Sequence, residues 1–471
     1  MRLRRLKIFQ ILFPIGDDAQ ESVERFITIG ALRACASSRD LDAAKHIHLQ
    51  QIDRLMDDLH ASNTLVSVYA KCKSMADARS VFDAMANRNA VSWNSLIAGY
   101  VDNGMEHLAL ESFSWMRLSG FEPDGRSLLA AIKACSSLAA AVEEDAGRKE
   151  VCPEIMNFAS AVHSQARARR FDSEDVFVAS ALVDFYAKCG RMAQARQVFD
   201  KITHPNVVSW TTLINGYADS GDGELALEAF GRMLLSGCQA DSRAFVAVLM
   251  ACSILATNGR APGKQNGGKN IKEKCLQRGV AIHSLVEERH CGSDPFVAST
   301  LVDMYTNCGS LDDARNVFDK MPSHGVVSWT ALVMGYAENG SGEIALELFS
   351  RMIFEGCDPN PRTYVAALVA CGSLAALQTG KQLVHALVCK AGVESEVYVA
   401  NSLVNFYGTC GSMGDAEQVF DSLKNKTVFT WSAMIEGYSH QGDARHVFAT
   451  FWKMKDEGQG ILPGNAASPQ D

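Results

Sequence analysis

Apolar residues return at helical spacing in short blocks along most of this chain, with polar interruptions between the blocks. In the segment 207–241, Trp210, Leu213 and Tyr217 fall on one face of a predicted helix. A stretch rich in Gly and Asp interrupts the pattern, and apolar positions resume around Phe230. The segment therefore predicts two consecutive helices joined by a short turn, a pair too small to bury its apolar face alone.

The same residues return along the chain at a long period. A Val-Ser-Trp phrase ends at Trp93, Trp210 and Trp329, and a Phe-Thr-Trp version ends at Trp431, so the tryptophans are 117, 119 and 102 residues apart. Cysteines keep the same step, in Ala-Cys pairs at Cys35, Cys135, Cys252 and Cys371 and three residues after a Tyr at Cys72, Cys189, Cys308 and Cys410. A fixed period of this kind is typical of repeat proteins.

Each long period divides into three shorter segments. Residues 326–360, 361–396 and 397–427 form segments of 35, 36 and 31 residues, which together make the 102-residue period. Each segment has an apolar block, a turn marked by Gly, Asn or Ser, and a second apolar block. The sequence thus predicts an all-α stack of helix-turn-helix repeats, in which the recurring Trp, Tyr, Cys and Phe residues pack between helices.

Val-Val-Ser-Trp opens one of these segments, and Tyr-x-x-Cys-Gly lies inside another. With these motifs and its alternating segment lengths, the chain resembles the PLS class of plant pentatricopeptide repeat proteins. The resemblance implies a right-handed α-solenoid, a superhelix like that of tetratricopeptide repeats. It covers residues 25–463 and implies about twelve repeats in L, S, P order: 25–58, 59–89, 90–124, 125–175, 176–206, 207–241, 242–294, 295–325, 326–360, 361–396, 397–427 and a last one from 428. Residues 464–471 are a polar tail.

Two L repeats, 125–175 and 242–294, are longer than expected, with insertions near 142–157 and 257–275. The second insertion is rich in Gly and contains Lys264, Lys269, Lys272 and Lys274. It is interpreted either as a flexible basic loop that touches RNA phosphates or as an unselected surface insertion. It lacks the Gly-Lys-Ser/Thr ending of a nucleotide-phosphate loop.

Composition excludes several classes of protein. Hydrophobic residues make up 47% of the chain, yet no apolar run approaches the length of a membrane span. The 14 cysteines include no two that are three apart, so neither a zinc knuckle nor another metal or cofactor site is expected. The net charge of −9 argues against a broad basic surface for nucleic acid, an objection that weakens if single-stranded bases are bound by stacking and edge hydrogen bonds.

The resemblance implies base reading by a few positions of each repeat: the fifth and last residues together specify one RNA base, and the second residue packs between bases. Carried onto this sequence, the pairs are Asn63 with Asn89 (C or U), Asn94 with Asp124 (U), Ser180 with Asn206 (A), Thr211 with Asp241 (G), and Thr330 with Asn360 (A). Weaker pairs are Ser299 with Gly325 and Asn401 with Thr427, while Leu129, Val246 and Val365 put apolar residues at the fifth place of L repeats. The expected track, 5′ to 3′, is C/U-U-x-A-G-x-x-A-x-(C/U).

The expected stacking residues are second in their repeats: Val91, Phe177, Val208, Phe296, Val327 and Tyr398, with His60 offering a flat ring in place of an apolar side chain. Two simpler interpretations stay open. The second residues would be core packing, and the polar residues of the pairs would face solvent without a role.

Family members of this class mostly serve C-to-U RNA editing in organelles, many with a C-terminal zinc deaminase. That enzyme needs His-x-Glu followed by Cys-x-x-Cys, and none of the 12 histidines is followed two residues later by Glu. We therefore expect no enzyme activity, and either a truncated C-terminus or a deaminase supplied by a partner protein. Residues 1–24 form an N-terminal segment whose first 16 residues carry four basic residues and no acid, consistent with an organelle presequence remnant or with an arbitrary start.

The expected function is that of a monomeric, sequence-specific binder of single-stranded RNA in the mitochondrion, or alternatively the chloroplast, which recruits editing machinery. Three alternatives remain: a protein-binding helical-repeat scaffold, an RNA stability or splicing factor without an editing role, and a decaying gene copy.

Overall fold

The computed structural model describes residues 17–50, 58–146, 153–258, 268–423 and 426–456. Within these ranges every regular element is a helix. The chain divides into two compact halves, Met1–Ser220 and Gly221–Asp471, and the division falls inside the 207–241 repeat.

The N-terminal half contains twelve described helices. They are α1 (Asp17–Ser38), α2 (Leu41–Gln50), α3 (Leu59–Lys71), α4 (Met75–Ala84), α5 (Ala90–Asp102), α6 (Glu106–Leu118), α7 (Gly125–Ala146), α8 (Pro153–Ala168), α9 (Phe171–Glu174), α10 (Val176–Lys188), α11 (Met192–Phe199) and α12 (Val207–Asp219).

The C-terminal half continues the series. Its described helices are α13 (Gly223–Leu235), α14 (Ser242–Asn258), α15 (Gly268–Glu288), α16 (Pro295–Cys308), α17 (Leu311–Asp319), α18 (Val326–Glu338), α19 (Gly342–Phe354), α20 (Pro361–Ser373), α21 (Leu377–Thr379), a π-helical turn at Gly380–His385, α22 (Ala386–Ala391), α23 (Val397–Thr409), α24 (Met413–Ser422), α25 (Val428–His440) and α26 (Ala444–Asp456).

Within each half the helices form two layers. The first helix of a repeat packs against its own second helix and against the first helix of the next repeat, as α3 does with α4 and α5, and α23 with α24 and α25. Within each half the first helices thus form one layer, called here the first-helix layer, and the second helices cover it. The expectation of an all-α solenoid of helix-turn-helix repeats is confirmed.

A recurring pair of rings joins each S repeat to the P repeat that follows. The ring centroids of Phe82 and Trp93 are 4.7 Å apart, those of Phe199 and Trp210 4.5 Å, those of Phe318 and Trp329 4.7 Å, and those of Phe420 and Trp431 4.7 Å. All eight rings are buried. The prediction that the tryptophans pack between helices is confirmed, and each such pair contributes about 0.5–1.5 kcal/mol beyond its buried area.

Close backbone approach at the same boundary requires glycine. A Cβ added at Gly99 would lie 2.7 Å from the Cβ of Ala70, and one added at Gly216 would lie 2.7 Å from the Cβ of Ala187. Because real Cβ atoms do not approach so closely, the glycine sets the distance between consecutive first helices.

A second recurring contact joins L repeats to S repeats. The imidazole Nδ1 atom and the tyrosine hydroxyl share a hydrogen bond in four places: His48 with Tyr69 (2.9 Å), His163 with Tyr186 (2.8 Å), His283 with Tyr305 (2.8 Å) and His385 with Tyr407 (2.6 Å). Burial lowers the pKa of all four imidazoles, so the rings are neutral near pH 7.

The two long L repeats extend their helices into the insertions. Helix α7 continues to Ala146, and α15 begins at Gly268, so that Lys272 and Lys274 belong to a helix. Lys264, the rest of that loop, the first sixteen residues and the tail 464–471 lie outside the described residues.

All thirteen cysteines in the described ranges are free thiols, seven of them buried. Over the same ranges, no group of three or more His, Cys, Asp or Glu side chains is arranged to hold a metal ion. None of the described helices is both long and apolar enough to cross a bilayer.

Candidate nucleic-acid interface

The six candidate stacking residues are exposed on the first turns of their helices. Their exposure runs from 48% for Val91 to 80% for Tyr398, with Phe177, Val208, Phe296 and Val327 between these values. These side chains are therefore not core packing. In these six P and S repeats an apolar or aromatic side chain projects from the first-helix layer, an arrangement suited to flat ligands.

The last residue of most repeats caps the first helix of the next repeat. Asn89, Asn206 and Asn360 each accept, at Oδ1, the backbone N–H three residues on, at 3.0, 3.0 and 2.9 Å. Thr427 makes a capping box with Thr430, whereas Gly325 has no side chain to cap with. These residues have a structural role that the sequence analysis missed, although the Asn-x-x-Ser/Thr spacing signals it.

Capping determines which atom of each last residue is left for a ligand. Because the amide oxygen of Asn206 faces the helix, its Nδ2 group lies outside the cap and can donate. Asp124 accepts the backbone N–H groups of Arg126 and Ser127 at Oδ1, which leaves Oδ2 as an acceptor. Asp241 caps in the same way, accepting from the backbone of Ala244 at 2.9 Å. Asn thus presents a donor and Asp presents an acceptor.

The fifth residues lie one helical turn after the second residues and are largely buried. Asn63, Ser180, Thr211 and Thr330 are 7% exposed and Asn94 is 8% exposed, while Ser299 and Asn401 are half-buried. The interpretation that these five side chains face solvent is wrong, because all five are buried. The apolar fifth residues Leu129, Val246 and Val365 are half-buried as well.

In two repeats the fifth and last residues touch each other. Asn94 donates from Nδ2 to Oδ2 of Asp124 at 2.8 Å, and Asn63 donates from Nδ2 to Oδ1 of Asn89 at 3.5 Å. Thr330 reaches Asn360 indirectly, because its hydroxyl lies 2.7 Å from the hydroxyl of Thr363, which itself bonds to Asn360.

Several fifth residues keep an unpaired polar atom. The side-chain oxygens of Asn63, Asn94, Thr211 and Asn401 are buried without a hydrogen-bond partner. Ser180 and Ser299 instead donate to carbonyls of their own helix, at 2.6 and 2.7 Å. A buried acceptor without a donor is unfavourable, so a ligand that offers an N–H group there gains a bond that the free protein lacks.

Two grooves run along the first-helix layer where these residues meet. In the N-terminal half, a groove of about 330 Å³ is lined by Val91, Asn94 and Leu129 among others. In the C-terminal half, a groove of about 490 Å³ is lined by Val327, Thr330, Asn360 and Ser299. Each groove thus combines a second residue with a fifth residue. Burial raises the pKa of Asp303 in the larger groove.

Family profiles match this chain periodically. The profile described as PPR repeat family matches 88–137, 205–253 and 324–372, and the one described as PPR repeat matches 61–89, 177–204, 296–326, 398–428 and 429–459. Together these matches cover more than half of the 471 residues. The chain belongs to the pentatricopeptide repeat family.

Curated relatives of this pentatricopeptide repeat protein come from Arabidopsis thaliana. A chloroplastic pentatricopeptide repeat-containing protein is 32% identical over 93% of this chain and 50% of its own length. A mitochondrial one is 32% identical over 88% of this chain and 55% of its own length. The chain therefore spans about half the length of these relatives.

A solved structure of the same family shares the fold. The crystal structure of the pentatricopeptide repeat protein PPR10 from maize matches 92% of this chain and 64% of its own, with a TM-score of 0.55 and 18% sequence identity. At this identity the likeness concerns the architecture alone.

The sequence analysis also missed the second residues of three L repeats of this pentatricopeptide repeat protein. They are basic and exposed: Arg126, Arg243 and Arg362. Their signal was their shared place in the repeat, one residue after the start of each first helix.

Proposed function

We propose that this pentatricopeptide repeat protein binds single-stranded RNA in a sequence-specific manner through the first-helix layer. The observation that carries the proposal is the shared groove of Val327, Thr330 and Asn360, a stacking side chain beside two polar side chains. Val91 and Asn94 repeat the arrangement in the other half, with Asp124 bonded to Asn94. One base per repeat, held by its face and read at its edge, fits this spacing.

The proposed base preferences follow from the atom that capping leaves free. Uracil and guanine present an imino N–H group, which suits the carboxylate oxygen of Asp124 and Asp241 that does not cap the helix. Adenine and cytosine present a bare ring nitrogen, which suits the free amide N–H of Asn206 and Asn360. The fifth residue then separates purine from pyrimidine, with Ser or Thr favouring purines and Asn favouring pyrimidines.

The proposed track is C/U-U-x-A-G-x-x-A-x-(C/U), read 5′ to 3′ from the N-terminal repeats. Asn63 with Asn89 opens the track. Two positions are weak, because Gly325 offers no side chain and Thr427 offers a hydroxyl already engaged with Thr430. Blanks in the track correspond to the repeat that ends at Gly325 and to the L repeats, and the repeat that ends at Thr427 is the bracketed last position.

We further propose a place in organelle RNA editing, as a PLS-class protein. Relatives named as chloroplastic and as mitochondrial support an organelle, and the mitochondrion is proposed with the chloroplast as the alternative. A partner would supply the deaminase, while the protein itself acts as a monomer.

The last described helix offers a surface for such a partner. Phe451 is 42% exposed, whereas its counterparts in earlier P repeats, Phe113, Phe230 and Phe349, are each buried against an aromatic ring of the following repeat. Phe448 lies on the same helix and is also exposed. A further helical element, from this or another chain, would find here the kind of contact that joins the repeats.

A second candidate function is protein binding by the second helices. Trp115, Leu118, Leu235 and Phe354 are exposed on them. Exposed apolar side chains of this size favour a protein partner. An RNA stability or splicing role would use the same first-helix layer as the editing role.

The test is fluorescence anisotropy with a labelled single-stranded RNA that carries the proposed track, against a scrambled RNA of equal composition at near-physiological salt. The proposal predicts at least tenfold tighter binding to the track, roughly the effect of one or two correct bases. Equal binding to both RNAs, or none, contradicts sequence-specific RNA binding and favours the protein scaffold.

A further inference from the structure

Arginine stands at the second place of three consecutive L repeats. Arg126, Arg243 and Arg362 lie in the first turns of α7, α14 and α20, and all three are exposed. In the P and S repeats, the same place holds Val, Phe or Tyr, apart from His60. Along the chain, each arginine directly follows a P repeat whose own second residue is valine.

In the N-terminal half, the arginine and the valine face the same groove. Val91, Asn94 and Arg126 all line it. Asp124, which completes the pair with Asn94, accepts the backbone N–H of Arg126 at 3.0 Å. The backbone of Arg126 is therefore held beside the Asn94–Asp124 pair, and its side chain lines the same groove.

The C-terminal half has the same arrangement, but the charged residues that line its groove are different. Val327 and Arg362 line one groove with Thr330 and Asn360. Among the described residues that line it, Arg362 is the one cation, and Asp303 and Glu338 are acids. Burial raises the pKa of Asp303, while the positive charge of Arg362 lowers it. Arg362 thus places one positive charge in a groove that two acids also line.

We propose that Arg126 and Arg362 form the second wall of the base sites of the P repeats, so that each base lies between a valine side chain and a guanidinium plane. This inference rests on the proposed RNA binding. A guanidinium group is planar and stacks on aromatic faces, and its charge also attracts the adjacent phosphate. Arg243 holds the same place in sequence for the 207–241 repeat. The L repeats then help to bind the base of the preceding P repeat, in addition to acting as spacers between repeats.

The two grooves should differ in their dependence on arginine. The groove at Arg126 is also lined by Lys71 and Lys133, against the single acid Asp102. At Arg362 no second cation is present among the described lining residues, and its removal leaves two acids, Asp303 and Glu338, in the lining. Loss of Arg362 should therefore weaken binding more than loss of Arg126.

The experiment measures binding of the full chain to single-stranded RNA carrying U-x-A-G-x-x-A, over a series of salt concentrations. For Arg362→Ala we expect roughly tenfold weaker binding and a salt slope smaller by about 0.7. For Arg362→Lys we expect an unchanged slope with weaker binding, because lysine keeps the charge and loses the plane. Arg126→Ala should have the smaller effect.

Arg315→Ala is the matched control, because Arg315 lies on a second helix and pairs with Asp319 of the same helix. It removes the same charge and should leave affinity and slope unchanged. If Arg362→Ala binds RNA like the wild type, the proposal that Arg362 forms the second wall of the base site is wrong. If Arg362→Lys equals the wild type in affinity, stacking by the guanidinium is wrong. If the wild type itself binds no single-stranded RNA, the proposed function fails before this inference is reached.

Discussion

Asn94 donates a hydrogen bond of 2.8 Å to Asp124, joining the fifth and last residues of one repeat. The other carboxylate oxygen of Asp124 caps the next helix. One residue thus fixes a helix start, orients its partner and keeps a lone pair for a ligand. The proposed base-reading atoms are positioned by the same contacts that hold the repeats together.

Replacement of Asn94 by Thr should change the base preference of its repeat from U toward G, by about tenfold. The reason is that Thr with Asp is the pair found at Thr211 and Asp241, assigned to G. Competition binding with RNAs that differ at this one position measures the change. An unaltered preference for U would show that the assignment of fifth residues does not apply to this protein. Stability should change little, because Asp124 keeps its cap.

The double role of Asn206 can be separated with two substitutions. Asn206→Asp keeps a capping oxygen, so the free energy of unfolding should stay within a few tenths of a kcal/mol while base preference moves from A toward G. Asn206→Ala removes the cap and should lower the free energy of unfolding by about 1 kcal/mol. Denaturant unfolding and single-position RNA competition measure the two effects. A loss of stability in Asn206→Asp equal to that of Asn206→Ala would contradict the capping account.

The sequence predicts the features that depend on residues close together along the chain, and it does not predict those that depend on another repeat. The Val-Ser-Trp motif at Trp93 identifies the repeat, because the same Phe–Trp contact recurs at each boundary between an S repeat and a P repeat. The cap at Asn89 is local too, since Asn and Ser stand three residues apart. The burial of Asn94 is not local: it depends on the next repeat, which lies over the side chain. The exposure of Phe177 was expected from the resemblance and not from the residue type, because an apolar side chain is usually buried.

Gly216 should not tolerate a methyl group. A Cβ there would lie 2.7 Å from the Cβ of Ala187, so Gly216→Ala should lower the free energy of unfolding by about 1–3 kcal/mol through overpacking. The matched control is Gly231→Ala in α13, where a Cβ would meet nothing within 4 Å. That change should be neutral or stabilise by up to about 1 kcal/mol, because alanine favours helix. Similar losses in both variants would contradict the close-approach argument.

Stability should fall as the pH drops below about 6.5, the usual pKa of histidine in an unfolded chain. Burial lowers the pKa of His283 in the folded protein, against Glu287 and Asp313, which raise it, and alongside Lys320, which lowers it. Protonation therefore favours the unfolded chain: the stabilisation is present above about pH 6.5 and is lost as the pH falls toward the folded pKa. His48, His163 and His385 behave alike.

Unfolding measured between pH 7.5 and 5.5 tests this pH dependence. In His283→Gln, which retains a polar group near Tyr305, the loss of stability on acidification should be smaller than in the wild type. The largest difference per histidine is about 1.4 kcal/mol per pH unit. Parallel pH profiles for the two proteins would show that His283 does not contribute.

The central claim is that the first-helix layer reads RNA bases in the order of the repeats. Selection from a randomised pool of single-stranded RNA by the purified full chain, at near-physiological salt, tests it most directly. The account predicts enrichment of U-x-A-G-x-x-A in this 5′ to 3′ order. No enriched sequence from helical, monodisperse protein, or an enriched sequence unrelated to this track, would contradict it.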